Sequence, residues 1–140
     1  KLVAAARADN FASSIVLAGW VEPGDLPNHL AAADAAIYPF DDTLLNRCKC
    51  PAKLTEIMCA AVPVAADSVG QVCEYIENGV SGFLCEPDDS RALADATIKL
   101  LQDARLRSKL GVSGRERLLS TFNWRIYSQQ LNRFYQRSFK

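Results

Sequence analysis

The residues best suited to chemistry fall in one short stretch, Arg47-Cys48-Lys49-Cys50-Pro51-Ala52-Lys53-Leu54-Thr55-Glu56. Pro51 suits the first turn of a helix, where its missing N–H is not needed. From Ala52 to Ala61 there is no Gly, and no further Pro until Pro63, so a helix of about three turns fits. The first N–H groups of a helix lack intrahelical partners, and the macrodipole adds positive potential there. A cation in that turn costs on the order of 0.3–1 kcal/mol. Here Lys53 occupies it, with Arg47 and Lys49 just upstream. A multiply charged anion among the three cations accounts for the crowding, and a diphosphate is the natural candidate.

Glu56 follows Lys53 by three residues, on the same helix face and roughly 4.5 Å further along the axis. A carboxylate at that distance can accept two hydrogen bonds from a ribose diol, as the acidic residue of dinucleotide-binding folds does. Without a ligand, the same two residues read as a solvated i,i+3 pair worth roughly a few tenths of a kcal/mol. The residues alone leave both readings open.

The other reactive side chains form no comparable constellation. Five cysteines, an odd number without regular spacing, argue against a disulfide framework and for a reducing compartment. Cys48 and Cys50 are a C-x-C, but Cys59, Cys73 and Cys85 supply no second pair, and the single His29 is remote. No zinc site is expected. The thiols read as small buried side chains with a reduced thiol or two. His29 reads as an exposed surface residue.

The elements that must position this stretch follow from the hydrophobic pattern. Residues 1–12 look like the tail of a helix. Ser14-Ile15-Val16-Leu17-Ala18-Gly19-Trp20-Val21 reads as a buried strand, followed by a Pro23-Gly24-Asp25 turn and a helix over 26–34. Residues 35–40, 63–67 and 82–85 read as three further strands. Helices are expected at 72–77, stopped by Asn78-Gly79, and after the cap Pro87-Asp88-Asp89-Ser90, where Leu93, Ala96, Leu100 and Leu101 form a stripe. Two more run from 104 to about 120 and onward from Asn123. Trp124, Tyr127, Leu131, Phe134 and Tyr135 give the last one an aromatic packing face, part of it available for docking. Short apolar strands alternating with helices mean βαβ units and a parallel sheet, with ligands at the carboxyl ends of its strands. The starts of the Pro51 helix and of the loops after Val21, Phe40, Asp67 and Cys85 all fall at that edge. No G-x-G-x-x-G or G-x-x-x-x-G-K-[ST] is present, so the NAD and P-loop readings lack their glycines.

At 140 residues, 49% hydrophobic and 23% charged, the chain is expected to be one soluble globular domain over 1–140. No apolar run approaches a membrane span and no signal peptide opens it, so a cytoplasmic protein is expected. It begins at Lys1 rather than Met, as a piece of a longer protein would. The net charge of zero is unevenly spread. Residues 1–98 hold 6 Lys/Arg and 14 Asp/Glu, whereas 99–140 hold 10 and 2. The basic tail either faces the acidic body or offers a surface to an anionic partner, such as membrane lipid or a missing domain. No nucleic-acid motif accompanies it, so no nucleic-acid partner is expected.

Several pieces then line up with a known family. They run Ala18-Gly19-Trp20-Val21, Leu30-Ala31-Ala32-Ala33-Asp34-Ala35-Ala36-Ile37-Tyr38-Pro39, and Cys50-Pro51-Ala52-Lys53-Leu54-Thr55-Glu56-Ile57-Met58-Cys59-Ala60-Ala61-Val62-Pro63-Val64-Ala65. After them come Val69-Gly70-Gln71-Val72-Cys73-Glu74-Tyr75-Ile76, Gly79-Val80-Ser81-Gly82-Phe83-Leu84 and Phe122-Asn123-Trp124. From about Ile15 onward the chain resembles the C-terminal, nucleotide-sugar-binding domain of a group 1 (family 4) retaining glycosyltransferase. The resemblance implies a Rossmann-like parallel sheet with flanking helices, one truncated half of the GT-B architecture. It implies that Glu56, matching the second glutamate of the E-x7-E motif, holds the donor ribose. It implies that the Cys50 to Leu54 segment receives the diphosphate, with Lys53 adding charge, and that Gly19, Trp20 and Val21 lie beside the base. Gly70 and Glu74 match the V-G-x-x-x-E segment, in a structural role.

Two departures from the family pattern stand out. Cys48 occupies the position of the first glutamate, which in the family is aimed at the donor sugar, and the catalytic residue is left unassigned. Asp41 or Asp42 can replace that carboxylate only if the loop folds inward. The acceptor-binding N-terminal domain is absent, as are the first strand and helix of the C-terminal one. The resemblance implies sugar transfer from a nucleotide-diphosphate sugar, with no metal and no cofactor, and an isolated fragment with little or no activity. The alternative is a non-catalytic nucleotide-binding or interaction module of the same fold. A third reading is a different Rossmann-like fold whose basic tail binds anions.

Overall fold

A computed structural model describes Ala5, Arg7 and residues 11–138. Three short strands build one parallel sheet in the order β1 (Ala36–Tyr38), β2 (Val64–Asp67), β3 (Phe83–Cys85). Ala36 pairs with Val64 and Tyr38 with Ala66; Ala65 pairs with Phe83 and Asp67 with Cys85. The helices are α1 (Leu26–Ala31), α2 (Leu44–Arg47), α3 (Ala52–Cys59), α4 (Val72–Tyr75), α5 (Ser90–Gln102), α6 (Ala104–Thr121) and α7 (Trp124–Ser138).

All of β2 is buried, which explains why it reads as a continuous run rather than an alternation. Its side chains still alternate between two cores. Val64 and Ala66 join Leu54 and Met58 of α3, Val72, Ile76 and Leu118 on one face, with Tyr38, Tyr75 and Phe122 packed around them. Ala65 joins Leu100 and Leu110 on the other, beside Phe83, Leu93 and Ala96. Leu101, expected in the same stripe, is instead exposed.

Three expected strands form, and the fourth does not. Residues 12–14 make a 3-10 turn, and 15–21 have no regular structure, leaving Val16 88% and Leu17 72% exposed. A strand needs a neighbour to satisfy its N–H and C=O groups, and the free edge of β1 does not pair with this segment. The expected helix over 1–12 lies mostly outside the described residues. Pro51 is the N-cap of α3 rather than its first-turn residue, at φ −82°, ψ 67°. The helix stops at Cys59, and Ala61 turns the chain toward Pro63 with a left-handed φ of 58°.

Local capping matches the sequence where the cap is polar. Asp89 accepts the Ala92 N–H at 2.8 Å to start α5, and Asn123 accepts the Ile126 N–H at 3.0 Å to start α7. The short helix α2 was not foreseen; its signal is Thr43, whose hydroxyl accepts the Asn46 N–H at 3.2 Å. The aromatic face of α7 stays largely exposed: the helix has no buried residue, and Trp124 is 82% exposed. Among the described residues, the basic tail meets the acidic body in two ion pairs, Arg107–Asp34 and Arg117–Glu77. No described helix is long and apolar enough to cross a membrane.

Candidate functional site

Helix α3 is fixed from below and open above. Pro51, Leu54 and Met58 are buried against the sheet, so the helix has one permitted rotation. That rotation leaves Lys53 and Glu56 exposed on the opposite side. Among the described residues neither enters an ion pair. The solvated Lys53–Glu56 pair is therefore not made.

The helix start is more occupied than the sequence suggests. The Ala52 N–H donates to the Cys50 carbonyl at 3.0 Å, and the N–H groups of Leu54 and Thr55 share the Pro51 carbonyl at 3.0 and 3.3 Å. Of the first three helical residues, Lys53 alone keeps an N–H without a partner among the described residues. The Leu54 side chain is wholly buried, so this residue anchors the helix and cannot meet a ligand with its side chain.

The upstream cations are also engaged. The Arg47 guanidinium donates two hydrogen bonds, each 2.6 Å, to the Asp42 carboxylate. This forked bond holds the Asp42 carboxyl below its usual range. Asp42 is thereby withdrawn as a substitute for the missing glutamate. Lys49 donates to Asn46 Oδ1 at 2.8 Å and lies 5.7 Å from the centre of the Phe40 ring. Lys53 is the one cation of the three with no partner among the described residues.

Three hollows flank this region. One of about 550 Å³ lies at the carboxyl ends of the strands, lined by Phe40, Asp41, Asn46, Asp67, Asp88 and Ser90. Its base is fixed by the Phe40 N–H, which donates to Asp67 Oδ2 at 2.9 Å. Neither Lys53 nor Glu56 lines it. Glu56 lines instead two grooves of about 340 Å³ each, one whose other wall is Pro23, Leu26, Pro27 and Leu30 and one against Leu118, Leu119 and Phe122. Gly19, at φ 69°, Trp20, 85% exposed, and half-buried Val21 lead the chain into the first of these walls. The fold thus brings Glu56 close to the segment that follows Gly19–Val21, on the flank of α3 rather than at the strand ends.

Cys48 and Cys50 are both exposed, and all five cysteines are free. Against the general reading of the thiols as small buried side chains, Cys59 is exposed beside Glu56 in the Leu26 groove and Cys73 is exposed as well; Cys85 alone is buried. No three His, Cys, Asp or Glu residues gather as a metal site among the described residues. His29 is exposed, as expected, with Nδ1 3.1 Å from the Asp25 carbonyl. Sequence reasoning missed Tyr38 and Tyr75, which close the underside of the helix mouth. Burial holds both phenols above their usual range, and nothing in their spacing announces that place.

The family profile described as "Glycosyl transferases group 1" matches residues 1–103. The chain belongs to this family. Within the group 1 glycosyltransferases, it is similar to N-acetyl-alpha-D-glucosaminyl L-malate synthase of Bacillus anthracis, 36% identical over 83 residues, which cover 59% of this chain and 22% of that protein. Its fold is similar to that of the C-terminal domain of a group 1 family protein, LpcC, from Francisella tularensis. There the TM-score is 0.70 at 23% identity, covering 88% of this chain and 61% of that one. It is also similar to HepE of Anabaena, solved in complex with UDP, with a TM-score of 0.77 at 21% identity over 96% of this chain and 35% of the other. At such identities the two structures speak for the fold. The architecture is half of a GT-B glycosyltransferase, and the match spans about a fifth of the curated relatives.

Proposed function

We propose that this chain is the donor-binding part, over 1–140, of a glycosyltransferase that transfers a sugar from a nucleotide-diphosphate sugar to an acceptor with retention. The reading is carried by the state of α3: Lys53 and Glu56 are exposed, three residues apart and unpaired, beside the one open N–H of the helix start. The UDP bound to the similarly folded HepE supports the ligand class. In this reading Lys53, its N–H and the backbone around Cys50 receive the diphosphate. Lys49 joins by exchanging Asn46 for phosphate, and Arg47 by exchanging Asp42. Glu56 grips the ribose diol, and the base lies along the groove that Gly19, Trp20 and Val21 lead into. As the sugar–phosphate bond breaks, the departing diphosphate keeps the electron pair, and Lys53 with the positive helix end stabilises that charge. No metal is required in this scheme.

The same reading gives the chain one wall of a cleft. An acceptor-binding domain supplies the other and excludes water on closing. The exposed aromatic face of α7 is assigned to that domain, and the tail cations without a body partner to an anionic membrane surface at which the protein sits peripherally. The chain alone is expected to transfer little or no sugar, and measurable transfer would overturn this.

A second reading, a nucleotide-binding module without catalysis, is favoured by Cys48 and by the engagement of Asp42 with Arg47. It predicts nucleotide binding without turnover on any nucleotide sugar, even when an acceptor domain is supplied.

The test is a thermal-shift screen with UDP, GDP, ADP and their sugars, repeated on Glu56→Ala. A ligand at a hundred times its Kd should stabilise the chain by about 2.7 kcal/mol. Most of that gain should be lost in the variant. No shift with any ligand, or an equal shift in Glu56→Ala, would remove the proposal.

A further inference from the structure

The loop that delivers the chain to α3 is shaped by an element outside the proposed contacts. Residues 47–50 rest on the 70–75 segment at both ends. Below Arg47, Gly70 approaches so closely, at φ 54°, that a Cβ on it would lie 2.6 Å from the Arg47 carbonyl oxygen. At the other end, the Tyr75 hydroxyl lies 4.0 Å from Cys50 Sγ, within hydrogen-bond reach of a sulfur.

The Tyr75 side is itself clamped. Its ring stacks on Phe122, with centroids 4.4 Å apart and planes inclined by 28°. Arg117 of α6 donates from Nε to the Tyr75 carbonyl at 3.0 Å and from Nη2 to the Glu74 carbonyl at 3.1 Å. The same guanidinium lies 5.9 Å from the Phe122 ring centre. Tyr75 is therefore the point at which the rigid α4–α6 frame touches the otherwise exposed Cys50.

The geometry points to Tyr75 as a positioning residue: through Cys50 it sets the loop entering α3, and with it the backbone that receives the diphosphate. This rests on the reading of α3 as a donor site. Tyr75→Phe removes the hydroxyl while keeping the ring on Phe122 and the carbonyl that Arg117 holds. The role calls for a selective loss, against the phosphates and not against the nucleoside.

The experiment uses the unaltered chain, Tyr75→Phe, Cys50→Ala, the double variant and Glu56→Ala. Each is titrated with whichever of UDP, GDP and ADP the unaltered chain binds tightest, and with the parent nucleoside. Tyr75→Phe should weaken the diphosphate about three- to tenfold, leaving nucleoside affinity and Tm unchanged. The double variant should be no weaker than Cys50→Ala. Unchanged diphosphate affinity in Tyr75→Phe, while Glu56→Ala weakens it, overturns the positioning role and leaves the donor site standing. A parallel fall in nucleoside affinity and Tm overturns it as well, because Tyr75 would then be structural only. Absence of binding by the unaltered chain, or full binding by Glu56→Ala, overturns the donor site and this role together.

Discussion

Gly111 of α6 faces the carbonyl of Ala61 so closely that a Cβ built on it would stand 2.0 Å from that oxygen. The contact joins the longest helix to the turn between α3 and β2, and neither partner is the tip of a flexible side chain. Gly111→Ala must push backbone apart and should destabilise the chain by about 1–3 kcal/mol or more. At Gly114 the nearest atom, the Ser81 carbonyl oxygen, is 3.0 Å away. Gly114→Ala should therefore cost less, and urea denaturation of the two variants checks the order.

The other side of that contact predicts the opposite sign. Ala61 holds a φ of 58°, a conformation that costs a residue with a Cβ about 1–2 kcal/mol. Glycine adopts it freely, though its unfolded chain is freer by about 0.4–1 kcal/mol. Ala61→Gly should raise stability by about 0.5–1 kcal/mol, seen as a higher denaturation midpoint at an unchanged slope.

The Asp42–Arg47 pair gives a pH signature. The carboxyl is held below its ordinary value, first by the hydrogen bonds from Arg47. Its contribution is present above the unfolded value of about 3.9 and is lost as pH falls through the lower folded value. The carboxyl carbon resonance of Asp42 should titrate below that of a free Asp, and Arg47→Ala should return it. The variant's Asp42 titrating where it does in the unaltered chain would remove the pair.

Thiol reactivity should separate the cysteines into two classes. Cys48, Cys50, Cys59 and Cys73 are exposed and Cys85 is buried. Burial, with Asp67 and Asp89 nearby, also pushes the Cys85 thiol up. Cys48, Cys50, Cys59 and Cys73 should react with a disulfide reagent in the folded chain, and Cys85 only on unfolding. Cys73 should be the slowest of the four, because burial, with Glu86 and Glu74 nearby, pushes its thiol up. Reaction of all five in the folded chain would mean that β3 is not packed as described.

Much of this fold was legible because local and global preferences agree in it. Apolar runs bounded by Asp, Pro and Gly became β1, β2 and β3, shortened by one or two residues at their ends. Asp89 and Asn123 became caps because a carboxylate or amide at the start of an apolar-periodic run has one obvious use. Residues 15–21 failed because strand character lies partly in the neighbour, and no neighbour is named in the run itself. The site was half legible. Helical spacing put Lys53 and Glu56 on one face, but Leu54 was assigned to the ligand-binding segment and its side chain lies in the core. It could not show that Arg47 and Lys49 are engaged by Asp42 and Asn46, since those bonds depend on the unforeseen turn at Thr43. Nor could it show that Glu56 opens beside α1 rather than over the strand ends.

The outer edge of β1 pairs with no strand among the described residues, and with Ile37 turned outward and the apolar Val16 and Leu17 exposed it bears on how the chain behaves in bulk. A row of open ladder positions recruits any extended apolar strand it meets, including another molecule's. Self-association should thus climb with protein concentration. A lysine at position 16 or 37 should act as a gatekeeper, keeping the polypeptide monomeric at concentrations where the unaltered one precipitates.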